Sequence, residues 1–241
     1  MELALLGDLI ISLLALITLE IILGVDNLVF ISILSSRLSV EKQKRARRLG
    51  LLLALITRLL LLASAVWLVH LTDPLFTIFD HPFSFRDLFL FFGGLFLLAK
   101  GTFEIHKEID TVGRAEIVVK YAKFGMVITQ IAIFDIIFSL DSILTAVGLT
   151  SNFTIMAIAI IIAVIVMIMA SEHIHYFIQQ YPTVKMLALS FLLLIGVVLI
   201  ADGLSFHIPR GYIYFALFFS LMVELLNNVM RAKKEKPKHQ N

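Results

Sequence analysis

The chain has 241 residues, of which 60% are hydrophobic and 16% are charged, and its mean hydropathy is +0.98. A soluble domain carries about 45–50% apolar and about 25% charged residues, because it must cover its core with polar surface. This composition excludes an ordinary soluble enzyme and predicts a polytopic membrane protein that contacts lipid. The absence of cysteine excludes disulfides, thiolate metal sites and cysteine nucleophiles.

Seven apolar segments follow one another along the chain, each near the length of about 20 residues that a membrane-spanning helix needs. Polar stretches with proline, serine or asparagine separate several of them. No basic residue precedes the first segment, so we expect a permanent helix there and not a cleavable signal peptide. The predicted spans are residues 9–34, 49–71, 87–103, 125–149, 153–170, 184–201 and 212–230.

The basic residues predict how these spans are oriented. All of the 20 Lys and Arg residues except Arg58, Arg86 and Arg210 fall on one side of the predicted membrane. Because loops rich in Lys and Arg stay in the cytoplasm, we expect the N-terminus outside and the C-terminus inside. We expect the basic tail, residues 231–241, to be a solvated topology signal and not a segment that binds anionic lipid or nucleic acid.

The first and fourth spans share an acidic pattern. An acid, two isoleucines, three further residues, a second acid and a small polar residue occur at 20–27 and again at 135–142. The fourth span comes three spans after the first, which gives the two copies opposite orientations and indicates an inverted repeat, typical of secondary transporters with a site near the midplane. The predicted domains are a first repeat (1–105), a cytoplasmic linker (106–123), an inverted second repeat (124–206), a seventh span (207–230) and a basic cytoplasmic tail (231–241).

The acids of this repeat are the candidate functional residues. An acid at the bilayer centre costs at least about 2.5–3.5 kcal/mol, so two acids in each of two spans need a function. Carboxylate, amide and hydroxyl oxygens are the ligands that hard divalent cations such as Mg²⁺, Ca²⁺ and Mn²⁺ prefer. The candidate metal ligands are Glu20, Asp26, Asn27, Asp135, Asp141 and Ser142, with Thr18 and Thr145 as further oxygen donors.

Two other residues in the spans bear on how such a site works. Glu20 and Asn27 share one face of a straight helix, whereas Asp26 lies about 120° away from Glu20. Unwinding of the helix at Gly24 would bring Asp26 to that face, and the alternative role of Gly24 is a close contact between helices. Arg58 in the second span is a candidate counter-charge for the empty site, and its alternative role is a structural ion pair.

Polar residues also occur near the ends of two later spans. Glu172, His173 and His175 lie at the inner end of the fifth span, where we expect solvated interfacial residues in preference to a site of ion uptake or release. Glu224, Asn227 and Asn228 in the seventh span are candidates for lining a cytoplasmic vestibule.

The acidic segments 19–27 (Leu-Glu-Ile-Ile-Leu-Gly-Val-Asp-Asn) and 134–143 (Phe-Asp-Ile-Ile-Phe-Ser-Leu-Asp-Ser-Ile) resemble motifs of the TerC family of integral membrane proteins, in particular its YgdQ-like bacterial branch. The resemblance covers nearly the whole chain. It implies an all-α fold of about seven transmembrane helices with a LysE-like inverted repeat, in the bacterial cytoplasmic (inner) membrane. It also implies export of a divalent metal, Mn²⁺ before Ca²⁺ or Mg²⁺, with the six candidate ligands at the family's acidic motif positions.

The sequence leaves three functions open. The first is metal export, with the bilayer and the transported ion as partners, no resident cofactor and no catalytic residues. The second is a non-transporting partner of the membrane insertion or secretion machinery, in which the acids are structural. The third is an intramembrane aspartyl protease, in which Asp26 and Asp141 share a proton, although the expected Gly-x-Gly-Asp context is missing. The oligomeric state is not predicted.

Overall fold

The computed structural model describes residues 2–64, 72–78, 81–112, 121–150 and 152–234, and seven helices lie in that part of the chain. The helices are α1 (Glu2–Ser35), α2 (Val40–Ala63), α3 (Phe85–Val112), α4 (Phe124–Leu149), α5 (Phe153–Gln180), α6 (Pro182–Gly203) and α7 (Arg210–Lys234). The prediction of an all-α polytopic membrane protein is confirmed. One addition is a small antiparallel hairpin of β1 (Pro74–Ile78) and β2 (His81–Ser84), in a segment where we expected only a loop.

Most of the helices are long and apolar enough to cross a membrane. The five that meet this description are Leu9–Ser35, Phe85–Asp110, Phe124–Leu144, Phe153–Gln180 and Pro182–Gly203, and Gly211–Asn227 is a shorter apolar helix. Within its described length, α2 carries too many charges to qualify, because Arg47, Arg48 and Arg58 all lie in its most apolar stretch. The end of the predicted second span, residues 65–71, lies outside the described residues.

Three helices extend well beyond the predicted spans. Helix α2 already begins at Val40, so most of the predicted basic loop forms its first turns. Helix α3 continues to Val112 and α5 to Gln180, so part of the predicted linker and the polar residues after Ala170 are helical. Hydropathy does not detect such ends, because the turns of a helix that reach the headgroup region carry charged and polar side chains.

Helix α1 is continuous from Glu2 to Ser35, so the predicted unwinding at Gly24 is wrong. The alternative role of this glycine is what the structure shows: a Cβ atom built on Gly24 would lie 2.6 Å from Sδ of Met167 in α5. The glycine therefore permits a close contact between α1 and α5, and the hydrogen bonds of the helix do not need to break.

The chain forms two compact units, Met1–Phe89 with Glu116–Gln180 and Leu90–Ala115 with Tyr181–Asn241. In the first unit α1 packs against α5 and α2 packs against α4, and in the second α6 packs against α7. Phe30 of α1 is stacked on Phe134 and Phe138 of α4, with ring centroids 5.6 and 5.9 Å apart. The inverted repeat and its domain boundaries stay predictions.

In the second unit, α3 and α6 contact each other at two glycines, and a substitution at one of them tests how close this contact is. A Cβ atom on Gly94 would lie 2.5 Å from the carbonyl oxygen of Gly196. We expect Gly94→Ala to lower the free energy of unfolding by about 1–3 kcal/mol through overpacking, as measured by thermal unfolding in detergent. Gly125→Ala is the matched control, because nothing lies within 4 Å of its Cβ position. Equal stability of the two variants would contradict the close backbone contact.

The predicted orientation is tested by reporter fusions. Fusions after Leu38 and after Arg231 should both report a cytoplasmic location, because basic residues cluster at these points. A fusion after His81 should report an external location, since Arg86 is the only basic residue near it in the sequence. A cytoplasmic signal at His81 would contradict the inverted repeat as well as the orientation.

Candidate ion site

A buried ion cluster joins three helices of the first unit. Arg58 of α2 donates a hydrogen bond from Nη1 to Oε2 of Glu20 in α1 at 2.7 Å. Its Nε and Nη2 atoms both donate to Oδ1 of Asp135 in α4, each at 3.3 Å. The side chains of all three residues are 2% exposed. The arginine therefore lies between one acid from each half of the predicted repeat.

Two neutral side chains complete the contacts to Asp135. Asn27 donates from Nδ2 to Oδ1 of Asp135 at 3.3 Å. The hydroxyl of Thr57 lies 2.8 Å from Oδ2 of Asp135 and 3.0 Å from the carbonyl oxygen of Ala54, so its single proton serves one acceptor at a time. The predicted oxygen donor Thr18 is instead exposed and donates to a carbonyl in its own helix, so it lies outside the cluster.

Sequence reasoning missed Thr57, and the signal that could have found it is weak. The residue is adjacent to Arg58 in an apolar helix, where a threonine usually satisfies its hydroxyl by a bond to its own backbone. Its role depends on the packing of α2 against α4, which no local pattern encodes. Thr57 is therefore a site residue that only the tertiary structure identifies.

Two acceptor oxygens in the cluster have no donor in the part of the chain that the structure describes. Oε1 of Glu20 and Oδ1 of Asn27 are buried, and neither has a hydrogen-bond partner among the described residues. A buried polar atom left unpaired costs about 1–3 kcal/mol. These oxygens are therefore positions that a cation, or a water molecule bound to a cation, would satisfy.

Two of the remaining predicted ligands, one in each of α1 and α4, are buried. Asp26 is 8% exposed and Ser142 is 3% exposed. The hydroxyl of Ser142 donates to the carbonyl oxygen of Ser139 at 3.1 Å, within its own helix. Asp141 and Thr145 belong to α4, but their side chains lie outside the described part of the structure. The structure thus connects Asp135 directly to Asn27 and, through Arg58, to Glu20. The roles of Asp26 and Asp141 stay predictions.

Within the described residues, no group of three or more histidine, aspartate or glutamate side chains is placed to hold a metal ion. The reason is visible in the cluster, since the guanidinium of Arg58 separates the carboxylates of Glu20 and Asp135. In this conformation the arginine is itself the cation that the two acids bind. A metal ion would have to take its place.

A substitution at Thr57 tests whether its contact with Asp135 matters. Thr57→Val is nearly isosteric but removes the donor 2.8 Å from Oδ2 of Asp135. We expect a loss of about 1 kcal/mol in the free energy of unfolding, as measured by chemical or thermal denaturation, because a buried acceptor loses a partner. Thr57→Ser keeps the hydroxyl and should lose less. If the valine variant is as stable as the unmodified protein, the hydroxyl of Thr57 contributes nothing to stability through Asp135 or through Ala54.

Polar residues also lie near the ends of α5 and α7. Glu172 and His173 are exposed, as we expected for interfacial residues, and His175 is half-buried. Glu224 of α7 is partly buried, and its Oε1 has no hydrogen-bond partner among the described residues. A vestibule lined by Glu224 stays a prediction.

The fold and the cluster define an all-α polytopic membrane protein that buries charged side chains between its helices. The sequence matches the family described as "Integral membrane protein TerC family" over residues 6–239. The chain therefore belongs to the TerC family. No solved structure matches the chain.

Several curated relatives are similar along most of the chain. The UPF0053 inner membrane protein YgdQ of Escherichia coli K12 is 50% identical over 217 residues, which cover 90% of each chain. A UPF0053 protein of Haemophilus influenzae is 50% identical over 223 residues, covering 92% of this chain and 94% of its own. The UPF0053 inner membrane protein YoaE of E. coli K12 is 49% identical over 221 residues, which are 91% of this chain. The match covers only 43% of YoaE, so the chain spans less than half of that relative's length.

Proposed function

We propose that the protein exports a divalent metal cation, Mn²⁺ before Ca²⁺ or Mg²⁺, through the acids of α1 and α4. The observation that carries the proposal is Arg58, held between Glu20 and Asp135 with all three side chains buried. Well-packed apolar residues often stabilise a fold as much as a buried ion pair does, or more. Ionisable residues inside membrane helices are typical of ion pathways. The proposed ligands are Glu20, Asp26, Asn27, Asp135, Asp141 and Ser142.

The charges of the cluster suit exchange between the arginine and a divalent ion. Two carboxylates with one guanidinium have a formal charge of −1, whereas two carboxylates with M²⁺ are neutral. The unpaired oxygens of Glu20 and Asn27 and the hydroxyl of Thr57 add hard oxygen ligands to those of Asp135. A metal ion that arrives would therefore displace Arg58 and gain a set of oxygen ligands in its place.

The same exchange supplies a way for the carrier to reset. Once the ion leaves on the outer side, Arg58 returns to the two acids and neutralises one of them. The empty carrier then opens again to the cytoplasm around its fixed midplane site without leaving two unpaired carboxylates in a medium of low dielectric constant. Metal binding that also displaces protons would make the exporter an exchanger of metal for H⁺.

We place this carrier in the bacterial inner membrane, with the N-terminus outside and the C-terminus in the cytoplasm. The relatives YgdQ and YoaE are named as inner membrane proteins, which supports the location. The distribution of Lys and Arg supports the orientation. The lipid bilayer and the metal ion are then the two partners of the chain, and the carrier is not an enzyme and holds no resident cofactor.

Metal flux into proteoliposomes tests the proposal. Vesicles with the purified protein should take up Mn²⁺ in a saturable manner and faster than Ca²⁺ or Mg²⁺, and Asp135→Asn should slow this flux at least about tenfold. Asp110→Asn is the matched control, because Asp110 is exposed and its pair with His106 contributes little. If no ion crosses faster than in protein-free vesicles, the proposal that the protein is a transporter is wrong. The ion cluster would then only stabilise the fold of a non-transporting partner of the insertion or secretion machinery. An assay of peptide cleavage would test the other alternative, an intramembrane protease.

A further inference from the structure

A second charged cluster lies between α2 and α5, at the end of these helices that we predict to be cytoplasmic. The Nζ atom of Lys44 donates to Glu172, with distances of 2.9 Å to Oε1 and 2.8 Å to Oε2. Nε2 of His175 donates to Oε1 of Gln43 at 2.9 Å, since the amide oxygen is an acceptor only. These contacts tie the two helix ends together, and none of them involves the ion cluster around Arg58.

Arg47 is the unusual member of this cluster. Its side chain is only 4% exposed, and its Nε and Nη1 atoms are buried with no hydrogen-bond partner among the described residues. Burial lowers the pKa of this guanidinium, and the nearby carboxylate of Glu172 opposes that shift. A buried guanidinium with unpaired N–H groups costs several kcal/mol unless an anion satisfies it. The side chain therefore needs a partner that the described residues do not supply.

Glu172 is engaged elsewhere in this conformation. Its carboxylate pairs with Lys44, and both side chains are more than half exposed. Arg48 also lies close enough to Arg47 to affect it electrostatically. Two arginines and one lysine against one glutamate leave the cluster with a formal excess of positive charge. This excess repels a metal cation and attracts an anion.

We propose that Arg47, together with Lys44 and Arg48, binds a phosphate group at this end of α2. Phosphate presents acceptor oxygens only, and the planar fork of an arginine binds two of them at once. Basic pockets between membrane helices on the cytoplasmic side bind the headgroups of anionic lipids, and a soluble phosphate has the same chemistry. Glu172 competes with the phosphate for Lys44. The proposal does not depend on metal transport.

The test is a titration of the purified full chain in neutral detergent, read as the midpoint of thermal unfolding. The ligands are short-chain phosphatidylglycerol, short-chain phosphatidylcholine and inorganic phosphate. Phosphatidylglycerol should stabilise the protein, and phosphatidylcholine should not. Arg47→Gln should weaken this binding at least about tenfold, the equivalent of one hydrogen bond to a charged group. Arg45→Gln is the matched control, because Arg45 is exposed in the same helix and loses the same charge.

Glu172→Gln gives a second and opposite expectation. Removal of the competing carboxylate should tighten binding of the phosphate. If inorganic phosphate stabilises the protein as well as phosphatidylglycerol does, the ligand is a soluble phosphate. If only phosphatidylglycerol stabilises it, the ligand is a lipid headgroup. Both results support the site. Equal losses of binding affinity in Arg47→Gln and Arg45→Gln would overturn the proposal, because the phosphate would then be attracted by the general positive charge of the surface and not bound by Arg47. Weaker binding in Glu172→Gln would overturn it too, since Glu172 would then be a partner of Arg47. Should Arg47→Gln not fold, Arg47→Lys replaces it, because it keeps the charge and loses the fork.

Discussion

Arg58→Gln is expected to lower the free energy of unfolding by about 3–5 kcal/mol, because it leaves two buried carboxylates without a counter-charge. The substitution removes the contacts of 2.7 Å to Glu20 and 3.3 Å to Asp135 in one step. Thermal unfolding in detergent measures the loss. Arg58→Lys should be milder, since the charge persists and only the planar fork is lost.

A double variant separates charge balance from transport. Arg58→Gln combined with Glu20→Gln removes one carboxylate together with the guanidinium, so it should recover much of the stability that the single variant loses. We expect transport to stay impaired in both, because the double variant lacks a metal ligand as well as the tethered cation. Full stability and full transport in Arg58→Gln alone would show that the arginine is peripheral to the site.

Asp26→Asn and Asp141→Asn should each abolish the protection of cells against excess manganese. The two residues occupy equivalent places in the predicted repeat, so each is expected to be needed. Asparagine is nearly isosteric with aspartate, so the change tests charge with little change in packing. Glu20→Gln and Asp135→Asn should weaken protection at least about tenfold, which corresponds to about 1.4 kcal/mol.

These cell assays need a control for expression and for surface charge. Each variant should reach the membrane in the same amount as the unmodified protein, as measured by immunoblot of membrane fractions. Asp110→Asn removes an exposed acid and should protect cells as well as the unmodified protein does. If both Asp26→Asn and Asp141→Asn protect cells normally at normal expression, the carboxylates are structural.

Hydropathy and charge were sufficient to predict the number and type of the helices in the described part of the chain. Runs of apolar residues as long as that of α5 have no stable arrangement in lipid except a helix that satisfies its own backbone. The same signal failed at the ends, because the first turns of α2 and the last turns of α3 are charged and look like loops. The hairpin of β1 and β2 was missed because its strands are only a few residues long.

The candidate site was predictable in part. Intramembrane acids are rare enough that Glu20 and Asp135 stand out in any apolar sequence. Their contacts with Arg58 and Thr57 depend on how α1, α2 and α4 pack, and that information is spread over the whole core. Gly24 shows the same limit of sequence-based prediction. A glycine in a span is compatible with a broken helix or with a close contact between helices, and the position of Met167 shows that the contact is formed.

The binding of Mn²⁺ to the purified protein, followed by the loss of the EPR signal of free Mn²⁺, tests the central claim most directly. The account predicts a saturable site whose affinity falls at least about tenfold for each acid removed in the double variant Glu20→Gln with Asp135→Asn. Glu41→Gln, which neutralises an exposed acid of α2, should bind Mn²⁺ as the unmodified protein does. Equal Mn²⁺ binding by the unmodified protein and the double variant would contradict a metal site at the buried carboxylates.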